Sequence, residues 1–249
     1  MRKVFIFWLF CLFTICISGK EIFIFKPGDT EGKSCQAVQI KYGWYLTAAH
    51  CVADICNSKC KVQMQIHGDI AETYQKHVYW LNEKRGNKSS YDIALINFKD
   101  LKTEDFLKDL QILIIDNSVK LSEPKIINRS LEIPFNFGEN EGKVLSRHEV
   151  FYGPKSKTIF TKDLGLFHGL SGAGVFTNKG ELIAITSATA GKGTEARFSV
   201  FSVFDERVES FLKQKIPTLY FKHISPSDFK ESSNLFEDKE ILISLDNNK

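Results

Sequence analysis

Short apolar runs separated by Gly, Pro, Asn, Asp or charged residues dominate this chain, and a sustained helical period is almost absent. Residues 61–69 show the pattern well. Val62, Met64 and Ile66 point one way, and Gln63, Gln65 and His67 the other, as in a half-buried strand. Residues 35–40, 44–48 and 77–81 read similarly. Residues 93–98 are almost continuously apolar, which suits a strand buried on both faces. Further strand-like runs lie at 111–115, 125–127, 143–152, 158–161, 174–177, 182–187 and 197–204. The polar stretch 103–110 can form a helix. The clearest helix is 205–215, where Asp205 can cap and Val208, Phe211 and Leu212 share a face. Pro217 follows its end. So many short strands at this spacing predict an all-β fold, a sandwich or a pair of barrels.

The N-terminus is different. Arg2 and Lys3 precede an apolar run over 4–17, followed by Ser18, Gly19 and Lys20. This is the layout of a signal peptide over residues 1–19, and the run is short for a bilayer span. No later segment is long or apolar enough to cross a membrane, so a secreted or periplasmic soluble product is expected. Cys11 and Cys16 leave with the signal. Cys35, Cys51, Cys56 and Cys60 remain, an even number in an exported chain. Their count alone leaves three pairings open. The net charge of +3 gives no reason to expect nucleic acid as a partner. Residues 216–249 are polar and slightly acidic, with an apolar patch at 241–245, and read as a C-terminal extension of unknown role.

Three motifs carry chemistry. In Leu46-Thr47-Ala48-Ala49-His50-Cys51, two small residues let the backbone turn tightly before a histidine. In Tyr91-Asp92-Ile93-Ala94-Leu95, an acid opens an apolar strand. A buried carboxylate needs donors, and an imidazole N–H would serve. In Gly169-Leu170-Ser171-Gly172-Ala173-Gly174-Val175, small residues leave a substrate room to approach the Ser171 hydroxyl. The N–H groups of Gly169 and Ser171 could converge there on an oxyanion.

In the order His50, Asp92, Ser171, these motifs resemble the chymotrypsin/trypsin family of serine peptidases. The resemblance covers roughly residues 21–215. It implies two antiparallel six-stranded β-barrels with a short C-terminal helix and a catalytic cleft between them. The peptidase domain would span 20–215, with the barrel boundary near 100–112. The resemblance also implies a disulfide between Cys35 and Cys51, which leaves Cys56 and Cys60 as a second, local pair. A metal site from His50, Cys51, Cys56, Cys60 and His67 is the competing reading of this region. It leaves Cys35 unexplained and makes no use of Asp92 or Ser171. No metal or cofactor is expected.

Matching to the family extends to further positions. Ser187 falls where a serine donates to the buried aspartate, and the backbone of Ser187, Ala188 and Thr189 would pair with an extended substrate. Gly165 falls at the base of the specificity pocket, with Leu166, Thr189 and Ser199 as walls and His168 at the rim. No acid lies at that base, so the substrate side chain is expected to be uncharged or small and apolar. The chain departs from the family in two places. Leu170 stands where an acid pairs with the N-terminus released on activation, and Ala173-Gly174 replaces the usual Gly-Pro. The expected function is a secreted serine endopeptidase acting on protein or peptide substrates. The alternative is a catalytically silent homologue that binds other molecules.

Overall fold

The computed structural model describes residues 20–25, 28–53, 59–66, 69–81, 91–98, 110–116, 118, 131–137, 140–146, 150–153, 157–162, 164–166, 168–191 and 197–231. Residues 1–19, Cys56, the stretches 103–109 and 125–127, and the end of the chain from 232 onward lie outside them.

The first sheet has seven strands among the described residues: β1 (Lys20–Phe25), β2 (Lys33–Lys41), β3 (Trp44–Thr47), β4 (Lys61–Ile66), β5 (Asp69–Tyr74), β6 (Val78–Trp80) and β7 (Ala94–Asn97). They are ordered β5-β4-β1-β2-β3-β7-β6, all antiparallel. A short helix α1 (Ala49–Ala53) follows β3. The alternation seen in the sequence sets the faces: Ile22, Ile24, Val62 and Met64 are fully buried or nearly so. Strand β7 sits between β3 and β6 and is buried throughout Ala94–Ile96, which is why it lacks a polar face. Thr73 Oγ1 donates to Asn97 O at 2.7 Å, bringing edge strand β5 back against β7, so the sheet curls on itself.

The second sheet holds β8 (Gln111–Ile115), β9 (Leu131–Phe137), β10 (Asn140–Ser146), β11 (Phe151–Gly153), β12 (Thr158–Lys162), β13 (Gly174–Thr177), β14 (Leu182–Gly191), β15 (Arg197–Val203), β16 (Tyr220–Ile224) and β17 (Lys230–Glu231). Helix α2 (Glu206–Lys215) follows β15, and Asp205 caps it by accepting from Arg207 N and Val208 N. The two curled sheets, with one substantial helix among the described residues, are the all-β fold expected.

The details correct several boundaries. The run 61–69 is not one strand: β4 ends at Ile66, and Asp69, paired with Ile66, opens the antiparallel strand β5. The run 143–152 is divided between β10, which pairs with β9, and β11, which pairs with β12. Strand counts exceed six per sheet, and β8–β14, β8–β16 and β11–β17 are parallel pairs rather than antiparallel ones. Strand β9 contains Pro134, which argues against a strand by its local chemistry. It is tolerated because β13 reaches only Leu131 and Glu132, so Pro134 has β10 alone beside it.

Two cores meet at β8. Ile112 and Ile114 belong to the first, Leu113 and Ile115 to the second. Helix α2 contributes Val208 and Leu212 to the first core, and Lys215 Nζ lies 4.6 Å from the Tyr79 ring centroid. The helix therefore closes the molecule against the first sheet while following directly from the second.

Candidate active site

His50 is set by what surrounds its turn. Thr47 ends β3 and donates its hydroxyl to Gln36 O at 2.7 Å. Cys51 N then donates to Ala48 O at 3.1 Å, opening α1. The Cys35–Cys51 disulfide ties α1 to β2. It also removes Cys51 from any metal set, and among the described residues no three His, Cys, Asp or Glu are arranged to hold a metal ion. Cys60 is disulfide-bonded as well.

Asp92 reaches His50 twice. Its Oδ1 accepts from His50 N at 2.8 Å, and its Oδ2 lies 2.6 Å from His50 Nδ1. Ser187 donates its hydroxyl to the same Oδ2 at 2.5 Å, and Asp92 N donates to Ser202 Oγ at 3.3 Å. The carboxylate is only 15% exposed. Burial pushes Asp92 up, but the His50 charge and the hydrogen bonds from the His50 ring, the Ser187 hydroxyl and the His50 N–H outweigh it. The carboxyl is held below its usual range. An ionised Asp92 accepts only, so the neutral imidazole carries its proton on Nδ1 and presents a lone pair at Nε2.

Ser171 approaches from the second sheet. Ala173 N donates to Leu170 O at 3.0 Å, closing a four-residue turn with Ser171 and Gly172 at its centre. Gly172 has φ +90°, as the third position of a type II turn requires. A Cβ there would stand 2.1 Å from Gln36 O and 2.3 Å from Thr47 Oγ1, so the first sheet presses directly on this turn. Gln36 N donates to Ser171 O at 2.8 Å, while Gly172 N donates to Thr186 O and Thr186 N to Ala173 O. Cys51 Sγ lies 3.8 Å from Ser171 O and 3.9 Å from His50 Nε2. The serine turn and the imidazole Nε2 thus share Cys51 Sγ as a neighbour. Gly169 has φ +96°, and Leu170 is buried in the second core.

The other expected positions fall into two groups. Gly165 is exposed with φ +67°, and a Cβ on it would meet open space. Leu166 is half-buried against the second core, and His168 and Thr189 are exposed. Ser199 is different: it is fully buried and its Oγ accepts from Leu164 N at 3.0 Å, so it braces the 164–166 segment from behind. Ala188 packs against Phe160, Phe198 and Val200. Gln36, Thr186 and Ser202 carry no signal in the sequence: each acts through a hydroxyl or backbone group on an ordinary-looking strand.

The family model for trypsin matches residues 23–211. This chain belongs to the trypsin family. A search of curated proteins found none that matches it. Among solved structures it resembles HL collagenase (16% identity, TM-score 0.53, covering 80% of this chain and 93% of that one). It also resembles a catalytically inactive tobacco etch virus protease complexed with substrate (13%, TM-score 0.52, covering 80% and 85%). A third relative in fold is the scabies mite inactivated protease paralogue S-I1 (17%, TM-score 0.52, covering 79% and 93%). Identities this low speak for the fold. Because an inactivated paralogue shares it, activity in a trypsin-family chain has to be argued from the site.

Proposed function

We propose that this trypsin-family chain is a serine endopeptidase using Ser171, His50 and Asp92. The observation that carries the reading is the doubly bonded His50–Asp92 pair, with Cys51 Sγ next to both its Nε2 and the Ser171 carbonyl. In this mechanism Ser171 Oγ attacks the scissile carbonyl and His50 Nε2 takes its proton. Asp92 stabilises the imidazolium so formed. The N–H groups of Gly169 and Ser171 would receive the tetrahedral oxyanion. His50 then protonates the leaving amine, and water attacking the acyl-Ser171 ester completes hydrolysis. Because Asp92 is held below the usual carboxylate range, the acid limb of the rate belongs to His50 protonation.

Strand β13 pairs with β14 only as far as Ile185, while β14 continues to Gly191 against β15. The stretch Ser187–Thr189 is therefore where an extended substrate would line up. The lack of an acid at Gly165 suits an uncharged or small apolar substrate side chain.

The silent-homologue reading rests on Leu170, which cannot make the family's activating ion pair. Here Leu170 is packed in the second core, and Lys20–Phe25 is paired between β2 and β4 as a strand. Packing of the leucine supplies what the ion pair does elsewhere, and favours a site that is formed without N-terminal insertion. Residues 1–19 are proposed to export the protein. No helix among the described residues is long and apolar enough to cross a membrane.

A fluorophosphonate probe tests the enzyme reading. The folded protein should be labelled, the Ser171→Ala variant should not, and labelling should weaken as pH falls and His50 takes up a proton. Absence of Ser171-dependent labelling sinks the proposal and leaves a binding protein.

A further inference from the structure

The triad uses Asp92 but not its neighbour. Tyr91 is buried, and its hydroxyl donates to Asp205 Oδ2 at 2.5 Å. Asp205 is the cap of α2, its Oδ1 accepting from Arg207 N at 3.0 Å and Val208 N at 3.2 Å. Lys157 Nζ lies 3.8 Å from Asp205 Oδ2, and the Arg207 guanidinium stands 5.4 Å from the Tyr91 ring centroid. Burial and the Asp205 carboxylate push the phenol up, so it remains a donor throughout the working pH range. At the next residue, Asp92 N donates to Ser202 Oγ. The segment leading into β7 of the first sheet is therefore tied at two successive residues to β15 and the start of α2.

A phenylalanine would fill the same space without a polar group to satisfy. A buried phenol bonded to a charged helix cap costs desolvation that packing alone would avoid. What the bond adds is direction: it fixes the 91–92 backbone relative to the second sheet, which supplies Ser187 and Ser171. We propose that Tyr91 is a positioning residue, whose hydrogen bond to Asp205 aims the Asp92 carboxylate at His50. This rests on the serine-peptidase reading above. Without the phenol hydroxyl, the segment loses its bond to Asp205, while the Ser202 bond at Asp92 N and the Arg207 contact on the ring remain. Asp92 then samples orientations with a longer Nδ1 contact, and the imidazolium of the transition state is held less well.

The test is a double-mutant cycle with Tyr91→Phe, Asp205→Ser and both together. Serine preserves the helix cap but is too short to reach Tyr91. Each single change should lower kcat about 3- to 10-fold with KM unchanged, the loss of one hydrogen bond. The double variant should be no slower than the worse single one. The second readout is the downfield NMR resonance of the His50 Nδ1 proton, assigned by its loss in His50→Ala. It should move upfield and exchange faster in both single variants. Additive losses, or an unmoved resonance, overturn the proposal. If Tyr91→Phe fails to fold, Asp205→Ser delivers the same two readouts. The resonance needs no turnover. A shift in protein that never reacts with fluorophosphonate sustains the positioning role while sinking the peptidase reading, whereas an unmoved resonance in a reactive protein does the reverse.

Discussion

At the scale of single residues, Gly172 shows how closely the two sheets constrain Ser171. It satisfies two independent demands: a positive φ in the turn, and a backbone that runs against Gln36, Thr47 and Ala48 with no room for a side chain. Gly172→Ala should therefore do more than weaken a turn. Either the Cβ forces the serine turn off the first sheet, breaking the Gln36–Ser171 bond, or the sheets part slightly. We expect a loss of several kcal/mol in unfolding free energy, as for other strained or overpacked buried sites, together with loss of probe labelling. Chemical denaturation alongside the labelling assay checks both; a variant of wild-type stability would mean the contact is easily relieved. The residues named from motifs were legible because each broke a local rule: a histidine after paired alanines, an acid heading an apolar strand, a serine amid glycines. Ser202 breaks none. It is one small polar residue in a buried strand, and its bond to Asp92 N depends on where another sheet passes, which no local pattern encodes.

Among the elements, β16 is the one the sequence hid best. Its five residues have only Ile224 buried, and its partner β8 lies more than a hundred positions earlier, so no local alternation announces it. A charged cluster holds it instead. His223 Nδ1 lies 2.8 Å from Asp116 Oδ2 at the end of β8, and its Nε2 lies 3.2 Å from Glu209 Oε2 on α2. Lys213 pairs with Glu209, and Glu206 shares a hydrogen bond with Asp116. The bond to Asp116 raises His223 despite partial burial. The Ser118 hydroxyl, His223 and the Ser118 N–H hold Asp116 below its usual range, and the Asp116 bond raises Glu206.

These shifts set a pH window for the cluster. A raised His223 stabilises fully below its unfolded pKa, near 6.5, and the contribution fades as pH climbs through the folded value. A lowered Asp116 stabilises above about 3.9 and loses its contribution as pH falls below. The His223 and Asp116 contributions overlap between roughly pH 4 and 6.5, while the raised Glu206 contributes most below its own unfolded pKa and fades as pH climbs through its folded one. The thermal midpoint of the native chain should exceed that of His223→Ala most near pH 5.5, with the gap narrowing toward pH 9. Amide exchange at Tyr220–Ile224, corrected for its intrinsic pH dependence, should accelerate over the same range. A gap that widens with pH would show that His223 is held by its neutral ring rather than by its charge.

Across the whole molecule, the site exists only where the sheets touch. The first sheet supplies His50 and Asp92; the second supplies Ser171, Ser187 and Ser202; and Gln36 and Thr47 press back on the serine turn. The order of motifs made the two-sheet layout readable, since each sheet had to bring its own share. The depth of the contact was not readable, because it is made by backbone atoms and a missing side chain. The Cys35–Cys51 bridge lies in this contact, with Cys51 Sγ 3.9 Å from His50 Nε2 and 3.8 Å from Ser171 O. Its removal should act in two separable ways. Releasing a loop of 16 residues costs about 3 kcal/mol by chain entropy. Losing the sulfur filler beside the imidazole should also loosen the serine turn against α1. The double variant Cys35→Ala/Cys51→Ala should therefore lose stability by about that amount in denaturant. At a temperature where it is still fully folded, it should react with fluorophosphonate more slowly than the native chain. Equal reactivity at full folding would mean the bridge only restrains the unfolded chain, and that Gln36 and Gly172 alone hold Ser171 to the imidazole side of the first sheet.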